Sequence, residues 1–167
     1  SVMQRLVINT SSSLFFTKVG LLPKLLKKFE VITTKEIFEE IKEGEEIGFK
    51  DARIIMNYFE EKKIGIMDTK KTKEIMKNFS LKHADASVLS LANEEEALLA
   101  TEDRQIEKIS LILEIKVTNT AVLIYYLNKE GDLSHSQSLL LLDLLIQEGY
   151  NKETCLKIKE KLFGDFK

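Results

Sequence analysis

Five short apolar runs, alternating with segments of helical periodicity, constrain what this chain can fold into more than any other feature. They lie at 6–8 (LVI), 30–33 (EVIT), 64–67 (IGIM), 97–101 (ALLAT) and 115–118 (IKVT). Nearly unbroken apolar runs suit a parallel sheet buried on both faces better than an antiparallel sheet with one wet side. Helical patterning fills the intervals at 12–28, 34–43, 49–62, 70–79, 83–95, 103–113 and 119–130, and continues at 136–147 and 151–163. Alternation of this kind implies right-handed βαβ units. The expected fold is therefore a three-layer α/β/α sandwich with a central parallel sheet of about five strands and extra C-terminal helices.

Residues 1–167 read as one domain. A chain of this length buries about 70% of its extended surface, enough for a core without staples. One proline and seven glycines leave no room for a linker. The lone Cys155 has no partner for a disulfide or a thiolate metal site, which makes a reducing cytoplasm the expected compartment. No apolar run reaches the ~20 residues of a membrane span, and no signal-peptide pattern opens the chain. The net charge of −2 argues against a general nucleic-acid coating protein, but it is compatible with an acidic metal site beside a local basic patch. Within the C-terminal part, the run SLLLLDLLIQ is apolar nearly all round and is expected to be buried on more than one side, against the sheet and a second subunit.

In an open parallel sheet, ligands bind beyond the carboxyl ends of the strands. Asn9 stands directly after the first run, and Asp103 two residues after the fourth. Either residue alone is also a good helix N-cap. Asp85 is harder to absorb into structure. On a helix over 83–95 it lies within about 60° of Leu81, Val88, Leu89 and Ala92, in the middle of the apolar stripe. A buried carboxylate there needs a cap role, a cation or a metal. Glu40 is the acid of TKEIFEEIKE nearest the Ile37/Ile41 side, with Glu39 as its neighbouring alternative. Carboxylates converging on one cleft call for a hard cation, and oxygen-only ligands suit Mg²⁺ or Mn²⁺. Zinc is disfavoured, because His83 and His135 lie far apart in sequence and no cysteines accompany them.

The segments VINTSSSL, TKEIFEEI, HADASVLSLANE and LLATEDRQI, in that order and spacing, resemble the PIN-domain family of small metal-dependent ribonucleases, which includes the toxins of prokaryotic toxin–antitoxin pairs. The resemblance covers nearly the whole chain. It places Asn9, Glu40, Asp85 and Asp103 on the four metal-site and catalytic positions, with Thr10, Ser11 and Thr101 supporting them. Asn9 departs from the family pattern, which has an acid there. An amide brings one neutral oxygen and no charge. The resemblance implies a Mg²⁺- or Mn²⁺-dependent endoribonuclease that hydrolyses single-stranded RNA and is weakened by Asn9. Lys82, His83, Arg104 and Lys108 are candidates for holding phosphate, although each is also an ordinary surface charge. An antitoxin protein and a second copy of the chain are the further partners it implies.

Two other readings stand beside this one. A PIN-like module that has lost catalysis would serve through RNA or protein contacts. A nucleotide-binding or receiver-like domain is disfavoured, because NTSSSLFF contains no glycine for a phosphate loop and the first strand lacks an acidic pair.

Overall fold

The computed structural model describes residues 3–165. Its five strands are β1 (Arg5–Val7), β2 (Glu30–Thr34), β3 (Gly65–Met67), β4 (Leu98–Ala100) and β5 (Val117–Thr118). All neighbours pair in parallel, in the order β3-β2-β1-β4-β5. Leu6 faces Val31 on one side and Leu98 on the other, which puts β1 at the centre. The chain builds outward from β1 to β3, then crosses back to add β4 and β5 on the opposite side. The reversal leaves the carboxyl ends of β1 and β4 at the position where such sheets hold ligands. Leu6, Val7, Ile8, Leu99 and Ala100 have no exposed surface.

The helices are α1 (Thr10–Lys18), α2 (Leu22–Lys28), α3 (Lys35–Glu46), α4 (Lys50–Glu60), α5 (Thr72–Phe79), α6 (His83–Glu94), α7 (Arg104–Ile112), α8 (Thr120–Lys129), α9 (His135–Gln147) and α10 (Lys152–Asp165). Together with the sheet they form the expected three-layer α/β/α architecture. Among the described residues no helix is long and apolar enough to cross a membrane.

Three expectations need correction. The single helix over 12–28 is two helices. Gly20 adopts a left-handed φ of +69° at the end of α1, and Pro23 sits in the first turn of α2. The apolar period runs through this break because both helices bury residues in the same core, Phe16 from one and Leu22 and Leu25 from the other. Second, β3 is a half-open edge rather than a buried strand: Gly65 and Ile66 are exposed. Third, α9 has α8 and α10, not the sheet, as its main neighbours. Leu142 and Leu145 are buried there, while Leu140 on the same helix is 59% exposed.

The helix that carries Asp85 is α6. It packs on β1, β2 and β4 and against α3, α5 and α7. Every residue from Ala86 to Ala92 is buried, although the helix has only modest amphipathicity. A helix enclosed on most sides carries small and apolar residues all round. Only its two ends reach the surface, His83, Ala84 and Asp85 in the first turn and Asn93 and Glu94 at the last.

Candidate functional site

Asn9 follows β1 and caps α1. Its Oδ1 accepts the backbone N–H of Ser12 at 2.9 Å and the Ser11 hydroxyl at 3.3 Å. The side chain is thus fixed by local structure, and the residue is only 9% exposed. Thr10, next in the chain, donates its hydroxyl to Oε1 of Glu40 on α3. This bond ties the turn after β1 to the second helical layer and distinguishes Glu40 from Glu39, which makes no such link.

Asp103 plays the same part after β4. Its Oδ1 accepts from the N–H groups of Gln105 at 2.7 Å and Ile106 at 3.1 Å, capping α7. The Asp103 N–H in turn donates to the buried Thr101 hydroxyl at 3.1 Å. The cap bonds are confined to Oδ1, so Oδ2 has no protein donor among the described residues. Capping and chemistry are therefore compatible at Asp103, one oxygen serving each.

Asp85 is half-buried in the first turn of α6, where no side chain caps the helix. Its carboxyl is held above the usual carboxylate range, first by burial, then by the charges of Asp103 and Glu40; Lys82 partly opposes the rise. Asp103 of the β4–α7 turn and Glu40 of α3 are therefore both close enough to act on Asp85 of α6. Among the described residues no hydrogen bond stabilises the Asp85 anion, and the helix N-terminus offers only a partial compensating charge. Charge of this kind without a partner is normally neutralised by protonation or by a cation.

Among the described residues no group of three or more His, Cys, Asp or Glu side chains is gathered to hold an ion as it stands. In chemistry the acids fit a hard cation: the donors are oxygen only, and the charges of Asp103 and Glu40 add to burial in raising Asp85. Asn9 leaves the set one charge short of four acids.

The candidate phosphate-holding residues fall into two groups. Lys82 and His83 line a groove of about 530 Å³ with Lys35, Glu36 and Glu40. His83 is exposed, with its Nε2 3.5 Å from a Glu36 oxygen. Arg104 and Lys108 lie instead on α7, along a more apolar groove of about 400 Å³ with Leu111 and Val117.

Glu102 was missed by sequence reasoning. Set between a strand end and a cap, it reads as surface charge. In the structure its Oε1 accepts from the Thr120 N–H at 3.1 Å, the Thr120 hydroxyl at 2.7 Å and, more weakly, the Ser12 hydroxyl at 3.4 Å. Its Oε2 accepts the Tyr150 hydroxyl. Burial pushes the Glu102 carboxyl up, against these hydrogen bonds, which pull it down. Burial, followed by the charge of Glu102, pushes the Tyr150 hydroxyl up. The only local signal of Glu102 is its place two residues past Ala100, the buried end of β4.

A family model described as PIN domain matches residues 5–161. No curated protein matches the chain in sequence. The fold is similar to the crystal structure of PAE2754 from Pyrobaculum aerophilum, with a TM-score of 0.50 at 16% identity; the likeness covers 74% of this chain and 95% of that one, and concerns the fold alone.

Proposed function

The chain belongs to the PIN-domain family, and we propose that it is a divalent-metal-dependent endoribonuclease that hydrolyses phosphodiester bonds of single-stranded RNA, with turnover lowered by Asn9. Membership supports a nuclease-type fold and the general metal dependence of such domains. The observation that carries the reading is Asp85, an acid kept at the rim of a buried helix, with burial and then Asp103 and Glu40 raising its pKa and no hydrogen bond among the described residues to hold its charge.

Asp85 and Asp103 would hold Mg²⁺ or Mn²⁺, with Glu40 behind them. Asn9 contributes a neutral oxygen already engaged by Ser12 and Ser11. When bound, such an ion supplies the positive charge that makes water a better nucleophile and stabilises the phosphate oxygens. The chain's own residues do the rest. Thr10 orients Glu40, Thr101 fixes the backbone of Asp103, and Lys82 and His83 offer positive charge in the groove beside Glu40. A toxin role would add an antitoxin partner, a second copy of the chain and a cytoplasmic site of action; none of these enters the chemistry.

The test is Mn²⁺-dependent cleavage of an end-labelled single-stranded RNA by the native chain, by Asn9→Asp and by Asp85→Asn. Slow cleavage by the native chain, faster cleavage by Asn9→Asp and none by Asp85→Asn is the expected result. RNA binding without cleavage by any of the three chains would instead make the protein a catalytically inactive binding module.

A further inference from the structure

The turn between β4 and α7 carries two adjacent acids whose surroundings differ. Asp103 is exposed and spends one oxygen on the α7 cap. Glu102 faces protein donors drawn from three other places in the chain. Thr120 begins α8, Ser12 lies in the first turn of α1, and Tyr150 belongs to the turn between α9 and α10. The Tyr150 ring also meets Phe15 of α1 edge-on, with centroids 5.0 Å apart, so α1 is held to the same point by packing as well as by hydrogen bonding.

Two short paths lead from Glu102 to the proposed metal site. Ser12, which gives Glu102 its hydroxyl, gives Asn9 its backbone N–H at 2.9 Å. Asp103 is joined to Glu102 by one peptide bond.

We propose that Glu102 is a positioning residue: by gathering the donors of Ser12, Thr120 and Tyr150, it locks the turn after β1 to the turn after β4 and so sets Asn9 against Asp103. Among the described residues neither turn has a backbone hydrogen bond to the other beyond the ends of β1 and β4. Without Glu102 the two caps remain, but their mutual placement is left to the short strands and to packing such as that of Phe15 on Tyr150. This inference rests on the metal-site reading of Asn9 and Asp103 for its consequence, and on the hydrogen bonds alone for the clamp itself.

The experiment is amide hydrogen exchange and Mn²⁺ titration calorimetry on the native chain, Glu102→Ala, Glu102→Gln and Tyr150→Phe. Gln keeps an acceptor for Thr120 and Ser12, and its amide can donate to the Tyr150 oxygen. In Glu102→Ala, exchange at Ser12, Gln105 and Ile106 is expected to rise about tenfold while Ile55 and Met56 in α4 keep native protection, and Glu102→Gln restores most of the loss. Mn²⁺ affinity should fall by about tenfold or more in Glu102→Ala and recover in Glu102→Gln, as for residues that orient ligands without touching the ion. Native protection at those three amides in a folded Glu102→Ala chain would overturn the proposal. If Glu102→Ala does not fold, Tyr150→Phe decides. It deletes one donor while keeping the ring against Phe15, and unchanged exchange at Ser12 would refute the clamp. Failure of the native chain to bind Mn²⁺ would remove the metal reading and leave the exchange result to decide the clamp.

Discussion

Asn9→Asp should raise Mn²⁺ affinity at least about tenfold, and the size of the effect follows from how Asn9 is held and from Coulomb's law. The side chain is nearly buried, and its Oδ1 already accepts two protein hydrogen bonds. Aspartate has the same shape, so one of its oxygens keeps both bonds, and charge-assisted versions are roughly twice as strong. The first turn of α1 contains no acidic residue, and a carboxylate at its N-terminus gains about 0.3–1 kcal/mol from the helix dipole. These gains offset part of the cost of adding a fourth charge to the proposed set. Toward a divalent ion about 4 Å away, one new unit charge is worth about 2 kcal/mol even with water-like screening, twice the value for two unit charges. That corresponds to roughly 30-fold in affinity, and tenfold leaves room for ordering and desolvation. Titration calorimetry at fixed ionic strength measures it directly. Thermal melts give a second reading, because Mn²⁺ should stabilise Asn9→Asp more than the native chain at equal concentration. A dissociation constant within twofold of the native value, with the fold intact, would refute the placement of Asn9 in the metal site.

Asp85→Asn should abolish Mn²⁺-dependent cleavage and also raise the melting temperature at neutral pH. The folded Asp85 carboxyl lies above its ordinary value of 3.8, so its ionised form disfavours folding once the pH exceeds the folded pKa, and that cost disappears as the pH falls to the unfolded value. The stabilisation by Asp85→Asn should therefore shrink toward pH 4 in melts, and a constant difference from pH 4 to 8 would contradict this origin. Thr34→Val should cost about 1–2 kcal/mol in urea unfolding. It removes the hydroxyl that caps α3 through the Ile37 N–H at 3.2 Å and pairs with Ser87 at 2.8 Å; no measurable loss would count against that cap. Cys155 should resist a thiol reagent at pH 8 until the chain is unfolded. It has no exposed surface, and burial pushes its thiol up to about 11, so rapid labelling of the native protein would contradict the packing of α10.

Much of this arrangement is legible in the sequence because it is written in local pattern. Strand runs and helical stripes report their own burial, and turn residues mark most of the boundaries. Asp85 could be singled out for the same reason: an acid in an apolar stripe is a contradiction visible within one helix. Asn9 and Asp103 were recognised both as caps and as strand-end residues, and the structure shows the caps in full. Local pattern misled where two elements share one core. The apolar period ran across Gly20 and Pro23, and α1 and α2 were read as one helix. It also misled in SLLLLDLLIQ, where composition reports an apolar surface without saying which neighbour covers it.

By itself the sequence determined the α/β alternation, the family resemblance and the acids at the strand ends, because each depends on residues a few positions apart. Only the tertiary structure decided that β3 would be an open edge, that Thr10 would select Glu40, and that Glu102 would be a junction. The donors to Glu102 stand 18, 48 and 90 positions away in the chain. A hydrogen bond acts over about 3 Å, and separations of that size along the chain become neighbours only when the strands have paired and the helices have closed over them.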